Sequence, residues 1–125
     1  MIDIQFRDEG THLVVVCQGK WELDTVSKAA TAIRDMATQI SHTRILVDWR
    51  NVPGPVTYLH RFRAGEEIAR ILPPPFRVAA LSSVEIINKI TEDTAVNRGA
   101  LYFVSHDEQE LLRWLLEGLP DSDPK

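Results

Sequence analysis

A single cysteine, Cys17, in 125 residues rules out an intramolecular disulfide. Stability must then come from a buried core, and at this length folding buries roughly two-thirds of the unfolded chain's surface. Cys17 lies in the apolar run 13–17 and reads as a small buried hydrophobe. A lone thiol of this kind fits a reducing compartment. Long hydrophobic runs are also missing. None approaches the roughly 20 residues that span a bilayer, and residues 1–5 lack the basic and apolar regions of an export signal. Excess positive charge is absent: 14 Lys and Arg against 18 Asp and Glu leave a net charge of −4. That balance disfavours a broad phosphate-binding surface. The expectation is one cytoplasmic domain over residues 1–119, with a polar tail at 120–125, no transmembrane segment and no nucleic-acid partner.

Recognisable catalytic and cofactor signatures are missing too. The chain has no G-x-G-x-x-G, no G-x-x-x-x-G-K-[ST], no C-x-x-C, no H-E-x-x-H and no G-x-S-x-G. His12, His42, His60 and His106 are scattered without metal-ligand spacing. Neither a cofactor nor a metal is expected. Asp48, Ser82 and His106 each fall near the end of a predicted strand, and their convergence into a small hydrolase site is the weakest of the readings weighed.

What is present is regular alternation of strand and helix signals. Ile2, Ile4 and Phe6 alternate with Asp3, Gln5 and Arg7, a strand with one wet face. Gly10 marks a hairpin turn. Residues 12–18 are almost continuously apolar, as in a strand covered on both sides. Asp24 is a predicted N-cap, and Val26, Ala29, Ala30, Ile33, Met36, Ala37 and Ile40 form one helical stripe. A third strand covers residues 44–50, with Trp49 in the core, before a Pro- and Gly-rich loop at 51–55. A second helix from Thr57 places Tyr58, Phe62, Gly65, Ala69 and Leu72 on one face and stops at Pro73. Gly65 inside it costs about 1 kcal/mol against alanine, which implies close packing on a neighbour. Residues 76–81 are a fourth strand. Ser82 and Glu85 match a capping box for a third helix, which ends near Gly99. Residues 100–104 are a fifth strand, and Asp107 with Glu110 caps a last helix ending at Gly118.

The order is β-β-α-β-α-β-α-β-α, which predicts an α/β fold: a five-stranded, mostly parallel sheet with an antiparallel edge strand and four helices. Ligands of open α/β sheets lie beyond the carboxyl ends of the parallel strands. The candidate binding residues there are Trp21, Arg50, Asn51, Thr57, His60, Arg61, Ser82 and His106. Helix N-termini at these loops favour a small anion. His60, Arg61 and Arg63 also suggest a docking patch for an acidic partner or a lipid headgroup.

Several strings, in their order, resemble the SpoIIAA-like family of the STAS superfamily, whose members also carry the label STAS/SEC14. They are residues 45–50, then Arg61-Phe62 with Gly65, residues 76–79, Glu92 to Ala95, Asn97-Arg98-Gly99, Asp107-Glu108 and Trp114-Leu115. The resemblance spans nearly the whole chain. It implies a non-enzymatic regulatory or protein-interaction module, with a small-amphiphile or lipid-binding domain of SEC14 type as the alternative. Classical STAS domains carry a phosphorylatable Ser in D-S-[ST]-G at the start of the helix after the third strand. That string is absent; Thr57 lies near the corresponding position and is the candidate phosphosite. Asn97, Arg98 and Gly99 represent a recurring family string with a structural role, in which Arg98 is expected to pair with Glu92 or Asp93. Another protein is the expected partner, with self-association into a homodimer as a further expectation, since the first strand offers an open edge.

Overall fold

In the computed structural model, described for residues 2–22, 24–52, 57–83 and 89–118, the strands follow one another across the sheet in chain order. They are β1 (Ile2–Asp8), β2 (Leu13–Gly19), β3 (Arg44–Asn51), β4 (Arg77–Leu81) and β5 (Leu101–Ser105). β1 pairs antiparallel with β2 along its whole length, from Ile2 opposite Gly19 to Asp8 opposite Leu13. The other three pairings are parallel. This is the sheet expected from the sequence. The strand bounds move slightly: Asp8, Gly19, Asn51 and Ser105 join strands, while His12, Phe76 and Ala100 fall outside them.

The helices are α1 (Thr25–Gln39), α2 (Tyr58–Ile71), α3 (Lys89–Asn97) and α4 (Glu108–Leu115). The predicted start of the third helix at Ser82 and Glu85 falls partly on residues 84–88, outside the described residues, as does the polar tail. Each right-handed crossover steps one strand in the same direction, so successive helices land on one face of the sheet. The main core there joins Val15, Cys17, Ile45, Val47, Trp49, Val78 and Tyr102 to Ala29, Ala30 and Ile33 of α1, Ala64 and Ile68 of α2, and Ala95 of α3. α4 returns to the other face, where Leu111 and Leu115 pack on Val14, Leu46, Ala79 and Leu81. β2 and β3 are thus covered on both sides, which is why their sequences run apolar without strict alternation.

Two arginines hold α4 in place. From the start of β4, Arg77 donates through Nε and Nη2 to the Trp114 carbonyl at 3.0 and 2.7 Å, and its guanidinium lies 4.0 Å from the Trp114 ring centre. Arg44, beside it on β3, donates to the carbonyls of Leu115 and Glu117. Positive charge thus meets the last carbonyls of the helix, where the macrodipole favours it.

α2 and α3 approach closely at Gly65. A methyl group built there would stand 2.5 Å from Thr94 Cβ and 2.7 Å from the Thr91 carbonyl oxygen. The Thr91 hydroxyl donates to the Arg61 carbonyl, one turn before Gly65, at 3.0 Å. The two free edges of the sheet differ. On β5 the Val104 N–H is taken by the Glu92 carboxylate at 2.8 Å, and Glu92 is in turn held by Lys89 at 2.9 Å. Among the described residues no side chain blocks β1 in this way.

His12, just before β2, is buried and shares a 2.8 Å hydrogen bond with Thr11. Burial lowers its pKa below the ordinary imidazole value; Glu9 opposes that shift, and the nearby His42 and Arg7 reinforce it. The unfolded chain therefore takes up this proton before the folded one does. Stability should hold above about pH 6.5 and fall as the solution is acidified below it. The urea midpoint should drop from pH 7 to pH 5, and by less in His12→Gln than in the parent.

Candidate functional site

The candidate residues do not converge on one site, and the sheet topology explains why. Strand order follows chain order without reversal, so the sheet has no switch point in strand order; only the adjacent strands β4 and β5 are followed by helices on opposite faces, α3 and α4. The crevice that such a reversal opens in doubly wound sheets is not formed. The candidates divide between the two faces instead.

On the α4 face, Asp48 and Arg50 alternate along β3 and pair with each other. Arg50 donates from Nε and Nη2 to the two Asp48 oxygens at 3.0 and 2.9 Å, and its backbone N–H adds a third bond at 3.0 Å. Burial alone would raise the Asp48 pKa, but these bonds overcome it and hold the carboxyl below its usual range. Arg50 and Asn51 are strand residues here rather than loop residues. His106 is exposed on the turn into α4, beside a shallow open groove with Asp107, Glu108, Gln109 and Leu112. Asp107 caps α4, accepting from the backbone N–H groups of Gln109 and Glu110. The Glu110 side chain does not complete the box. It accepts instead from the Ser105 hydroxyl at 2.7 Å, and Ser105 Oγ takes the Asp107 N–H. Ser82 is half-buried, and its backbone N–H bonds the Ser105 carbonyl. Asp48, Ser82 and His106 share no hydrogen bond, and the Asp48 carboxylate is committed to Arg50. The arrangement lacks the nucleophile–base–orienter chain that a hydrolase needs.

On the opposite face, Trp21 packs edge-on against Trp49, ring centres 5.7 Å apart, and is part of the core margin. Its Nε1 is buried without a hydrogen-bond partner, as is Nδ1 of His60. Asp24 occupies the N-cap position of α1, yet its side chain does not cap. Its carboxylate pairs with Lys28 at 3.1 Å instead. Thr57 does cap α2, accepting from the His60 N–H at 3.2 Å. His60 and Arg61 are half-buried, while Arg63 is exposed and lies 4.0 Å from Glu66, so the three side chains do not present one patch. Arg98 reaches neither Glu92 nor Asp93. It pairs with Glu66 on α2 at 3.5 Å and lies over the Phe62 ring at 5.3 Å. The Asn97-Arg98-Gly99 string thus ties α3 to α2.

The surface at the start of α2 stands out. Tyr58 and Leu59 are 68% and 53% exposed, the two most exposed of the large hydrophobic side chains among the described residues, and Tyr58 stacks on Phe62 at 6.5 Å. No family model and no curated protein matches this chain. Solved structures do. An anti-sigma factor antagonist from Mycobacterium paratuberculosis superposes with a TM-score of 0.63 at 12% identity, over 94% of this chain and 96% of the other. An uncharacterized DUF3478-family protein from Shewanella loihica, described as having a SpoIIAA-like fold, gives 0.57 at 17% identity, over 91% and 93%.

The fold is SpoIIAA-like. The resemblance read from the sequence is therefore a resemblance of architecture across nearly the whole chain. Within this SpoIIAA-like fold Thr57 is the N-cap of α2, immediately before Tyr58 and Leu59. Removing its hydroxyl in Thr57→Ala should cost about 1 kcal/mol, read as a lower urea midpoint with little change in slope. Arg44 and Arg77, which anchor α4 in the SpoIIAA-like fold, escaped the sequence reading as functional parts of the structure. Their only signal was a cation just ahead of each apolar strand. Cys17 is buried, and its thiol is pushed up to about 12 by burial and by Asp48, so it is an inert core residue. The core cavity bounded by Val26, Val47, Trp49 and Tyr102 holds about 10 Å³, room for about one water at most. No helix among the described residues is long and apolar enough to cross a membrane.

Proposed function

We propose that this chain is a non-enzymatic regulatory module that acts by binding another protein through the first turn of α2. The observation that carries this reading is the side-by-side exposure of Tyr58 and Leu59 at a capped helix start. Interface hot spots are enriched in tyrosine, and here a rigid helix holds one out of the core beside an exposed leucine. The fold neighbour from Mycobacterium paratuberculosis is an anti-sigma factor antagonist, a regulator by its name, which supports the same reading. Thr57 adds a switch to it. Its hydroxyl is on an exposed residue, and a phosphate there would place negative charge at the helix N-terminus beside the docking turn. A lipid-binding role draws no support from a core cavity of about 10 Å³, since drug-sized ligands need about 300 Å³ or more.

The test is photo-crosslinking in the native cell with a benzophenone side chain at position 58, and at exposed Arg113 on α4 as control. A discrete adduct specific to position 58, whose protein then binds the purified chain at least about 30-fold more weakly after Tyr58→Ala, supports the proposal. Equal labelling at both positions, or a partner indifferent to Tyr58→Ala, refutes it.

A further inference from the structure

We propose that the free edge of β1 joins the same edge of a second copy of this chain, forming a two-fold dimer with one continuous ten-stranded sheet. β1 is seven residues long, regular, and paired with β2 at every position. It contains no proline. Edges of this kind present a row of unpaired backbone groups, and proteins normally blunt them with proline, bulges or covering groups. The other edge of this sheet is blunted: Glu92 takes the outward N–H of Val104 on the five-residue β5. Among the described residues the outward edge of β1 has no such cover.

The sequence of β1 is complementary to itself when reversed. A two-fold axis through Gln5 sets Asp3 opposite the partner's Arg7, Ile4 opposite the partner's Phe6, and Gln5 opposite the partner's Gln5. The pairing occurs twice by symmetry and uses the full strand, with Ile2 opposite the partner's Asp8. Every pair joins residues of the same parity. Outward-pointing N–H and C=O groups therefore meet outward-pointing ones, as an antiparallel ladder requires. Opposite charges stand across the strands on the wet face, and Ile4 and Phe6, half-buried against the core, extend the apolar face on the other side. Axes through Ile4 or Phe6 lose the charge pairing: they set Asp3 opposite Gln5, or Arg7 opposite Gln5, and leave part of the strand unpaired. Arg7 must leave its exposed contact with Glu9, an exchange between solvated ion pairs that costs little. Such an interface is isologous and closes at two copies.

Sedimentation equilibrium of the intact chain tests this. The parent should be dimeric. Asp3→Arg and Arg7→Asp should each weaken the dimer by about tenfold or more, because each sets like charges opposite one another at two places. The doubly reversed Asp3→Arg/Arg7→Asp chain should return to within about threefold of the parent. Gln5→Cys should form an intermolecular disulfide under mild oxidation, since directly opposed Cα atoms about 4.5–5.5 Å apart are within bridging range; Asp3→Cys should not, and buried Cys17 does not compete. A parent that stays monomeric at the highest soluble concentration overturns the proposal. So does a dimer indifferent to both reversals, a double reversal without rescue, or a Gln5→Cys chain that does not cross-link.

Discussion

Gly65→Ala should destabilise the fold by about 3 kcal/mol and lower the melting temperature by about 10 °C. Alanine is ordinarily the better helix residue by about 1 kcal/mol, so the sign itself tests the packing argument. The added methyl would lie 2.5 Å from Thr94 Cβ and 2.7 Å from the Thr91 carbonyl oxygen. Neither atom is the end of a flexible chain. Relief requires α3 to move away from α2, which strains the Thr91 bond to the Arg61 carbonyl and the Arg98 contacts with Glu66 and Phe62. A second substitution sharpens the expectation. Thr94→Ala removes Cγ2 but keeps Cβ and the Thr91 carbonyl, so the double variant should recover only a small part of the loss. Thermal and urea unfolding of the four chains of the cycle give the measurement. A neutral or stabilising Gly65→Ala would show that the helices do not meet there.

Arg77→Ala is expected to cost about 3 kcal/mol, from two charge-assisted bonds to one carbonyl and the guanidinium stacked on Trp114. The ion pair with Glu117 at 3.3 Å adds little, because Glu117 is largely solvated. The loss should be local before it is global: amide exchange in α4 should accelerate relative to α1, since β4 supplies the largest share of the framework on which α4 rests. Arg77→Lys should recover less than half, because an ammonium neither forks onto a carbonyl nor stacks flat on indole. Arg44→Ala should act in the same direction with a smaller effect. Equal exchange rates in α4 for parent and Arg77→Ala would sink this account.

These two residues also mark where the sequence was legible. The spacing of β-branched and apolar residues, together with Gly10, Gly99 and Pro73, was enough for element order and for an antiparallel first strand, because those features depend on local periodicity. Gly65 announced a close contact, since a glycine inside a helical pattern needs a reason, though not the identity of Thr91 and Thr94 as the neighbours. Arg77 announced nothing: a charge next to an apolar strand reads as solvated until α4 is seen to end above it. The same limit governed Arg98, where a pairing with neighbours on its own helix was expected and the partner proved to be Glu66 on α2. The candidate site was least legible. Loops at the ends of parallel strands were grouped because local signals fix that they exist, while the division of Arg50 from Thr57 depends on which face each strand residue takes and on the sheet order. Tyr58 was passed over since an apolar residue at helical spacing reads as core, Leu59 fell outside that spacing, and only the geometry of α2 shows both turned outward.

Sheet order that follows chain order has a consequence for how the molecule is made. Each strand from β2 onward lies beside the strand synthesised just before it, so the sheet can be extended as the chain leaves the ribosome, with no place reserved for a later segment to insert. The helices α1, α2 and α3 cover one face as that growth proceeds. The other face waits for the last element. Until α4 arrives, Leu46, Ala79 and Leu81 have no apolar cover from Leu111 and Leu115. The nascent chain thus carries one sticky surface until α4 emerges, and the arginines at the start of β3 and β4 are already positioned to receive the helix that closes it.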